Sequence, residues 1–207
     1  MLLQASTKLM ATSEHGYPEW HHGRVQYGLW YIEIDQPELI EYLEYLKQAF
    51  SDLLIPLNQR QYHITLFVAG FLTAHTPKFD DDFEIRKLNQ QIKNLEALQF
   101  DCLELEVTAI DSFSSALFLQ IHDKQNILSK IRQQLSLSST EIAAPEYCPH
   151  ITLGLYRKAW KSELILERIQ KLQPQKFKIQ VRHLTFGYYK AQILQGLLYP
   201  YHRLSLG

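Results

Sequence analysis

The chain has 207 residues and a mass of 24.3 kDa, with 46% hydrophobic and 12% aromatic residues, enough to bury one substantial core or two small lobes packed together, and unlike a disordered chain. Lys and Arg number 21 against 22 Asp and Glu, so the formal net charge is −1 and no global field recruits long nucleic acid or an anionic membrane. Cys102 and Cys148 lack CxxC or zinc-ligand spacing, the Met1-Leu2-Leu3-Gln4 opening lacks the apolar stretch of a signal peptide, and no window is apolar enough to span a bilayer. The expectation is a cytoplasmic monomer with no membrane partner.

Residues 1–24 mix Ser, Thr, Gly16, Pro18 and three His without periodicity, and read as an extension that is flexible or lies over the surface. Val25 to Ile34 is aromatic and β-branched, a strand. Asp35-Gln36-Pro37 then starts a helix whose Leu39, Ile40, Leu43, Leu46 and Phe50 make one apolar face, closed by Pro56. Gln61 to Val68 is a second strand, residues 83–98 a second amphipathic helix, and Phe100 to Ile110 a strand with one wet face. The second half repeats the order: a strand from Ala116 to His122, a helix from Gln125 to Leu135, a strand from Tyr147 to Gly154 and a helix from Leu164 to Leu172. Phe177 to Tyr188 and Ile193 to Leu206 finish as two strands.

Each half contains the same tetrapeptide in a strand, His63-Ile64-Thr65-Leu66 and His150-Ile151-Thr152-Leu153. At these residue frequencies a full repeat arises by chance roughly once in a thousand His or less. The copies stand 87 residues apart, from 63 to 150, too far for a solenoid repeat and suited to a duplicated half-domain. Counting back 31 residues from each His lands on Ile32 and Leu119, each inside the strand that opens its half. Strand alternation puts His63 with Thr65, and His150 with Thr152, on one face and the apolar pair on the other. The fold class expected is α+β, with two antiparallel-sheet lobes related by a pseudo-two-fold.

With its two His-x-Thr-hydrophobic strands, the stretch His63 to Gly70 and the stretch Pro149-His150-Ile-Thr-Leu, the chain resembles the 2H phosphoesterase superfamily over roughly residues 25 to 206. That family includes the RNA 2′,3′-cyclic phosphodiesterases historically called 2′-5′ RNA ligases. The resemblance implies a single bilobal domain over 25–207, helices on the outer faces and a central cleft where the motifs meet. It also implies no metal or other cofactor, RNA ends or small cyclic nucleotides as substrate, His63 and His150 as the catalytic pair, and Thr65 and Thr152 holding the phosphate. The chemistry suits those residues. Opening a cyclic phosphodiester takes a proton from water and delivers one to the departing ribose oxygen, and two imidazoles do this near neutral pH.

Other residues are weighed against structural roles. Tyr62, Phe67, Tyr156, Trp160, Tyr188 and Tyr189 are candidates to stack a nucleobase, with core or rim packing as the competing reading. Arg157 and Lys158 are candidates for local positive charge. A third stretch, His183-Leu184-Thr185-Phe186, lies only 33 residues past His150, with no room for another lobe, and His183 reads as a polar-face residue beside the cleft or in solvent. His21-His22 has no third ligand at metal spacing. The expected function is a metal-independent phosphodiesterase acting on 2′,3′-cyclic phosphate or 2′-5′ bonds; the alternatives are 2′-5′ ligation, a non-catalytic nucleotide or RNA-end binding cleft, and a His-ligated metallohydrolase.

Overall fold

The computed structural model describes residues 2–13, 17–56, 59–98, 103–142 and 146–206. Its elements are α1 (Pro18–His21), β1 (Gln26–Glu33), α2 (Pro37–Ala49), β2 (His63–Thr73), β3 (Asp82–Glu84), α3 (Arg86–Glu96), β4 (Leu103–Ser112), β5 (Ala116–His122), α4 (Ile127–Ser136), β6 (His150–Leu155), α5 (Ser162–Gln170), β7 (Phe177–Val181), β8 (His183–Lys190) and β9 (Tyr199–Ser205). The start of the strand expected from Phe100, and Cys102, fall outside the described residues. In α2, Pro37 and Glu38 occupy the first turn, where a missing N–H costs nothing and an acid meets the positive end of the helix dipole. Leu39, Tyr42, Leu43 and Leu46 then turn inward at helical spacing. Among the described residues no helix is long and apolar enough to cross a membrane.

The strands lie in the order β7-β4-β5-β6-β2-β1-β8-β9, with every neighbouring pair antiparallel and β3 added in parallel to β2. The two four-stranded lobes meet at β2 and β6 through one residue pair, Ile64 with Ile151. This is the α+β, pseudo-two-fold arrangement expected. Its register is kept as well: Ile32 pairs with Ile64 and Leu119 with Ile151.

The lobes are not the two halves of the sequence. Each half passes its end across: β4 pairs with β5 of the second lobe, and β8, carrying β9 with it, pairs with β1 of the first. The stretch read as one strand from Phe177 to Tyr188 therefore breaks at Arg182, β7 closing the edge of the second lobe and β8 entering the first. Apolar alternation reports which side of a strand is buried and carries no information on which neighbour it pairs with. The last strand begins at Tyr199 and not at Ile193, because Ala191 to Gly196 forms turns, with Gln195 at a positive φ of 52°.

Helices cross in the same way, α2 packing on β6 and α4 on β2. Between α3 and α4 the buried Gln91 is fully used: Trp30 Nε1 donates to its Oε1 at 2.9 Å, while its Nε2 donates to Leu135 O at 3.2 Å and Ser139 Oγ at 3.1 Å. Within the N-terminal extension, Leu2 and Leu3 N–H donate to Asp111, Met10 N–H to Ser114 O and Thr12 N–H to Tyr156 O, so residues 2–13 lie over the second lobe. Gly70 has φ +115°, and a Cβ there would run into the Asp81 carbonyl, which explains a glycine at that point of β2.

Candidate active site

At the junction of the lobes the two motifs face one way. Ile64, Leu66, Ile151 and Leu153 are fully buried, while His63, Thr65, His150 and Thr152 are half-buried on the opposite face. Because Ile64 pairs with Ile151 in antiparallel sense, His63 stands level with Thr152 and Thr65 with His150. Each motif then carries a β-bulge at its fourth residue. Tyr31 pairs with Thr65 and Trp30 with Phe67, which leaves Leu66 extra; Phe118 pairs with Thr152 and Leu117 with Gly154, which leaves Leu153 extra. A bulge inserts one residue, bends the strand and re-aims the side chains beyond it.

The first bulge corrects one expectation. Strict alternation puts Phe67 on the His face as a candidate stacking ring; the extra residue turns it into the core, where it is 0% exposed. The bulge is held from the side that β6 leaves unpaired. Arg132 Nη1 donates to Leu66 O at 2.7 Å and pairs with Glu141, whose carboxylate accepts from Val68 N–H, while Tyr147 Oη donates to Thr65 O at 2.9 Å. The Arg132 guanidinium also lies 3.8 Å from the centre of the Tyr147 ring.

Both imidazoles are oriented by the same device. His63 Nδ1 lies 2.8 Å from Gln61 O, and His150 Nδ1 lies 2.7 Å from Cys148 O. A carbonyl only accepts, so Nδ1 carries the hydrogen and Nε2 is the nitrogen left to take or give a proton. Rings flank them: Tyr31 is edge-on to His63 at 5.8 Å, and Phe113 and Phe118 lie 5.0 and 5.1 Å from His150. Sequence reasoning missed these three. Tyr31 and Phe118 each stand 32 residues before their His, 31 to 63 and 118 to 150, so the repeat offset contains the signal.

Burial pushes the His63 pKa down to about 4, with the positive charges of Arg60 and His150 adding to it against the opposing Gln61 carbonyl. Burial lowers that of His150 too. An imidazole depressed in the folded protein binds fewer protons there than in the unfolded chain, so its neutral burial supports the fold above pH 6.5 and that support drains as pH falls from 6.5 to about 4. His63→Gln is expected to flatten the fall of Tm between pH 6.5 and 4, measured by thermal unfolding; an unchanged slope contradicts the burial argument.

The other candidates are placed elsewhere. Tyr62 turns away from His63 toward α2, its hydroxyl donating to Glu44 Oε1 at 2.8 Å. Tyr156 is 0% exposed, its hydroxyl 2.6 Å from Ser112 Oγ, so it has no face for a base. Arg157 is exposed beyond the end of β6, seven residues from His150, or about 20 Å of strand. Tyr189 is covered by the Arg60 guanidinium at 3.9 Å and packs on Tyr27 at 5.5 Å. Aromatic and basic residues near a motif in sequence were scattered by the strand's two faces and its bulge. Arg60, not anticipated, donates to Gly196 O at 3.0 Å and acts on His63 through its charge.

Residues 35–192 match the family described as the 2′-5′ RNA ligase superfamily. The chain belongs to this superfamily. As a 2′-5′ RNA ligase superfamily member it shares the fold of E. coli LigT complexed with 3′-AMP, at 15% identity over 89% of this chain and 99% of that one, with a TM-score of 0.61. A solved phosphoesterase is similar at 14% identity over 87% and 98%, TM-score 0.56, as is TT0787 of Thermus thermophilus at 12% over 87% and 97%, TM-score 0.57. No curated protein matches this superfamily member by sequence.

Proposed function

We propose that the protein is a metal-independent phosphodiesterase that opens 2′,3′-cyclic phosphates or cleaves 2′-5′ bonds of RNA or small nucleotides. The observation that carries this reading is the matched pair of imidazoles on one face, each with Nδ1 tied to the carbonyl two residues earlier and each with a Thr two residues later. One Nε2 takes the proton from the attacking water while the other delivers a proton to the leaving ribose oxygen. Thr65 and Thr152 hydroxyls donate to the non-bridging oxygens as charge shifts onto them. The free protein holds both imidazoles toward the neutral form, and an anionic phosphate between them opposes that burial effect, so substrate itself restores a protonated ring. The same fold in LigT has been solved with 3′-AMP, a ribose phosphate monoester.

The test is an assay of nucleoside 2′,3′-cyclic phosphates, 2′,3′-cyclic-ended RNA and 2′-5′-linked dinucleotides in EDTA, with product analysis. Sustained turnover to one positional isomer of the phosphomonoester is expected. Saturable binding without product, or activity that EDTA abolishes, overturns the proposal.

A further inference from the structure

The third His-x-Thr stretch, set aside on sequence, lies on the same sheet face as the first. Across the first lobe the register runs Thr65 to Tyr31 to Thr185 to Arg203, through β2, β1, β8 and β9. In the neighbouring row His63 pairs with Glu33, and His183 pairs with Ser205. Contacts confirm the shared face: the Tyr31 ring touches that of His63 and its hydroxyl reaches Glu33, and Arg203 Nη2 crosses β8 to bond Glu33 Oε2 at 2.7 Å. Glu33 and His183 line one groove, while Tyr31, Glu33, Gln61 and Arg203 line an adjoining cavity of about 260 Å³.

This face has donors to spare. Arg203 is about half exposed and uses one of its nitrogens on Glu33. His183 is exposed. Beneath them Thr185 is 0% exposed, and its Oγ1 has no hydrogen-bond partner among the described residues. The second lobe is built differently. The residue paired with His150 there is Gln120, and the one paired with Thr152 is Phe118, where the first lobe has Glu33 and Tyr31. Having crossed β8, the Arg203 guanidinium bonds the side chain of Glu33, the residue of β1 paired with His63.

Resting on the phosphodiesterase reading, we infer that Arg203 and His183, above the unpartnered Thr185 hydroxyl, form a second phosphate subsite, which takes the 5′-phosphate of the nucleotide whose 2′,3′-cyclic phosphate lies between His63 and His150. The preferred substrate is then a nucleotide carrying a phosphate on both sides of its ribose, as at the 3′ end of an RNA chain. Glu33 keeps the guanidinium extended over the face until a phosphate shares it.

The test compares a nucleoside 2′,3′-cyclic phosphate with its 5′-phosphorylated form. In the wild-type protein KM for the 5′-phosphorylated compound is expected to be about tenfold lower. The ratio falls toward one in Arg203→Gln and drops in His183→Ala. Glu33→Gln breaks the same ion pair and leaves the guanidinium, so there the ratio holds or grows. A wild-type ratio of one, or a ratio unchanged in either of the first two variants, overturns the subsite. No turnover of either compound is a failure of the functional reading instead; calorimetric affinities of the two compounds then decide the subsite, equal values overturning it.

Discussion

His63→Ala and His150→Ala are each expected to lower kcat/KM on a 2′,3′-cyclic phosphate by about 10²- to 10⁴-fold, the usual worth of one positioned acid or base. Both side chains are half-buried at the surface of the sheet and, among the described residues, each bonds a nearby carbonyl, so Ala leaves no large cavity and the fold survives. The double variant is expected to lose less than the product of the two single losses, because proton removal and delivery belong to one transition state. Thr65→Val and Thr152→Val keep the branched shape and remove one charged hydrogen bond, worth about 1.5 to 3 kcal/mol. They therefore cost less rate than either His. Steady-state kinetics with circular dichroism as a folding control checks the order. Full activity in either His variant removes the two-imidazole mechanism, and a Thr loss exceeding the His loss reverses the assignment of roles.

Period-two patterning disclosed the motif strands and helical spacing disclosed α2 and α4, because burial of one face is a local property of sequence. The repeat offset did more: it put Ile32 and Leu119 at equivalent places in the strands that open the two halves, and they are the residues that pair with Ile64 and Ile151. Strand exchange was hidden, since β4 and β8 look alike whether they pair within their own half or across. The bulges were hidden for a different reason. Leu66 and Leu153 are buried as a regular strand requires, and only the register to the next strand shows them to be extra residues. One such insertion moved Phe67 from candidate ligand contact to core. The same limit applies to His183, whose spacing argued against another lobe and was silent on which face of the first lobe it joins.

The bulge at Leu66 also rests on a partly buried ion pair with a sizeable stability effect. Arg132 is the group that offsets the cost of an irregular strand there: it bonds the Leu66 carbonyl, neutralises Glu141 and stacks on Tyr147, whose hydroxyl holds the Thr65 carbonyl. Arg132 and Glu141 side chains are 17% and 12% exposed, so removing one leaves the other charge poorly solvated. Arg132→Met is expected to destabilise the protein by about 3 kcal/mol, read from denaturant midpoints at constant m. Arg132→Met combined with Glu141→Leu removes both charges and is expected to regain most of that loss, since an apolar pair of similar volume replaces a buried ion pair at little cost. Catalysis separates the two contributions. In both variants the Leu66 carbonyl has lost its donor and Thr65 its indirect support, so kcat falls in the stable double variant as in the single one. A double variant with restored stability and full kcat shows that Arg132 serves the fold alone and that the bulge places Thr65 without it.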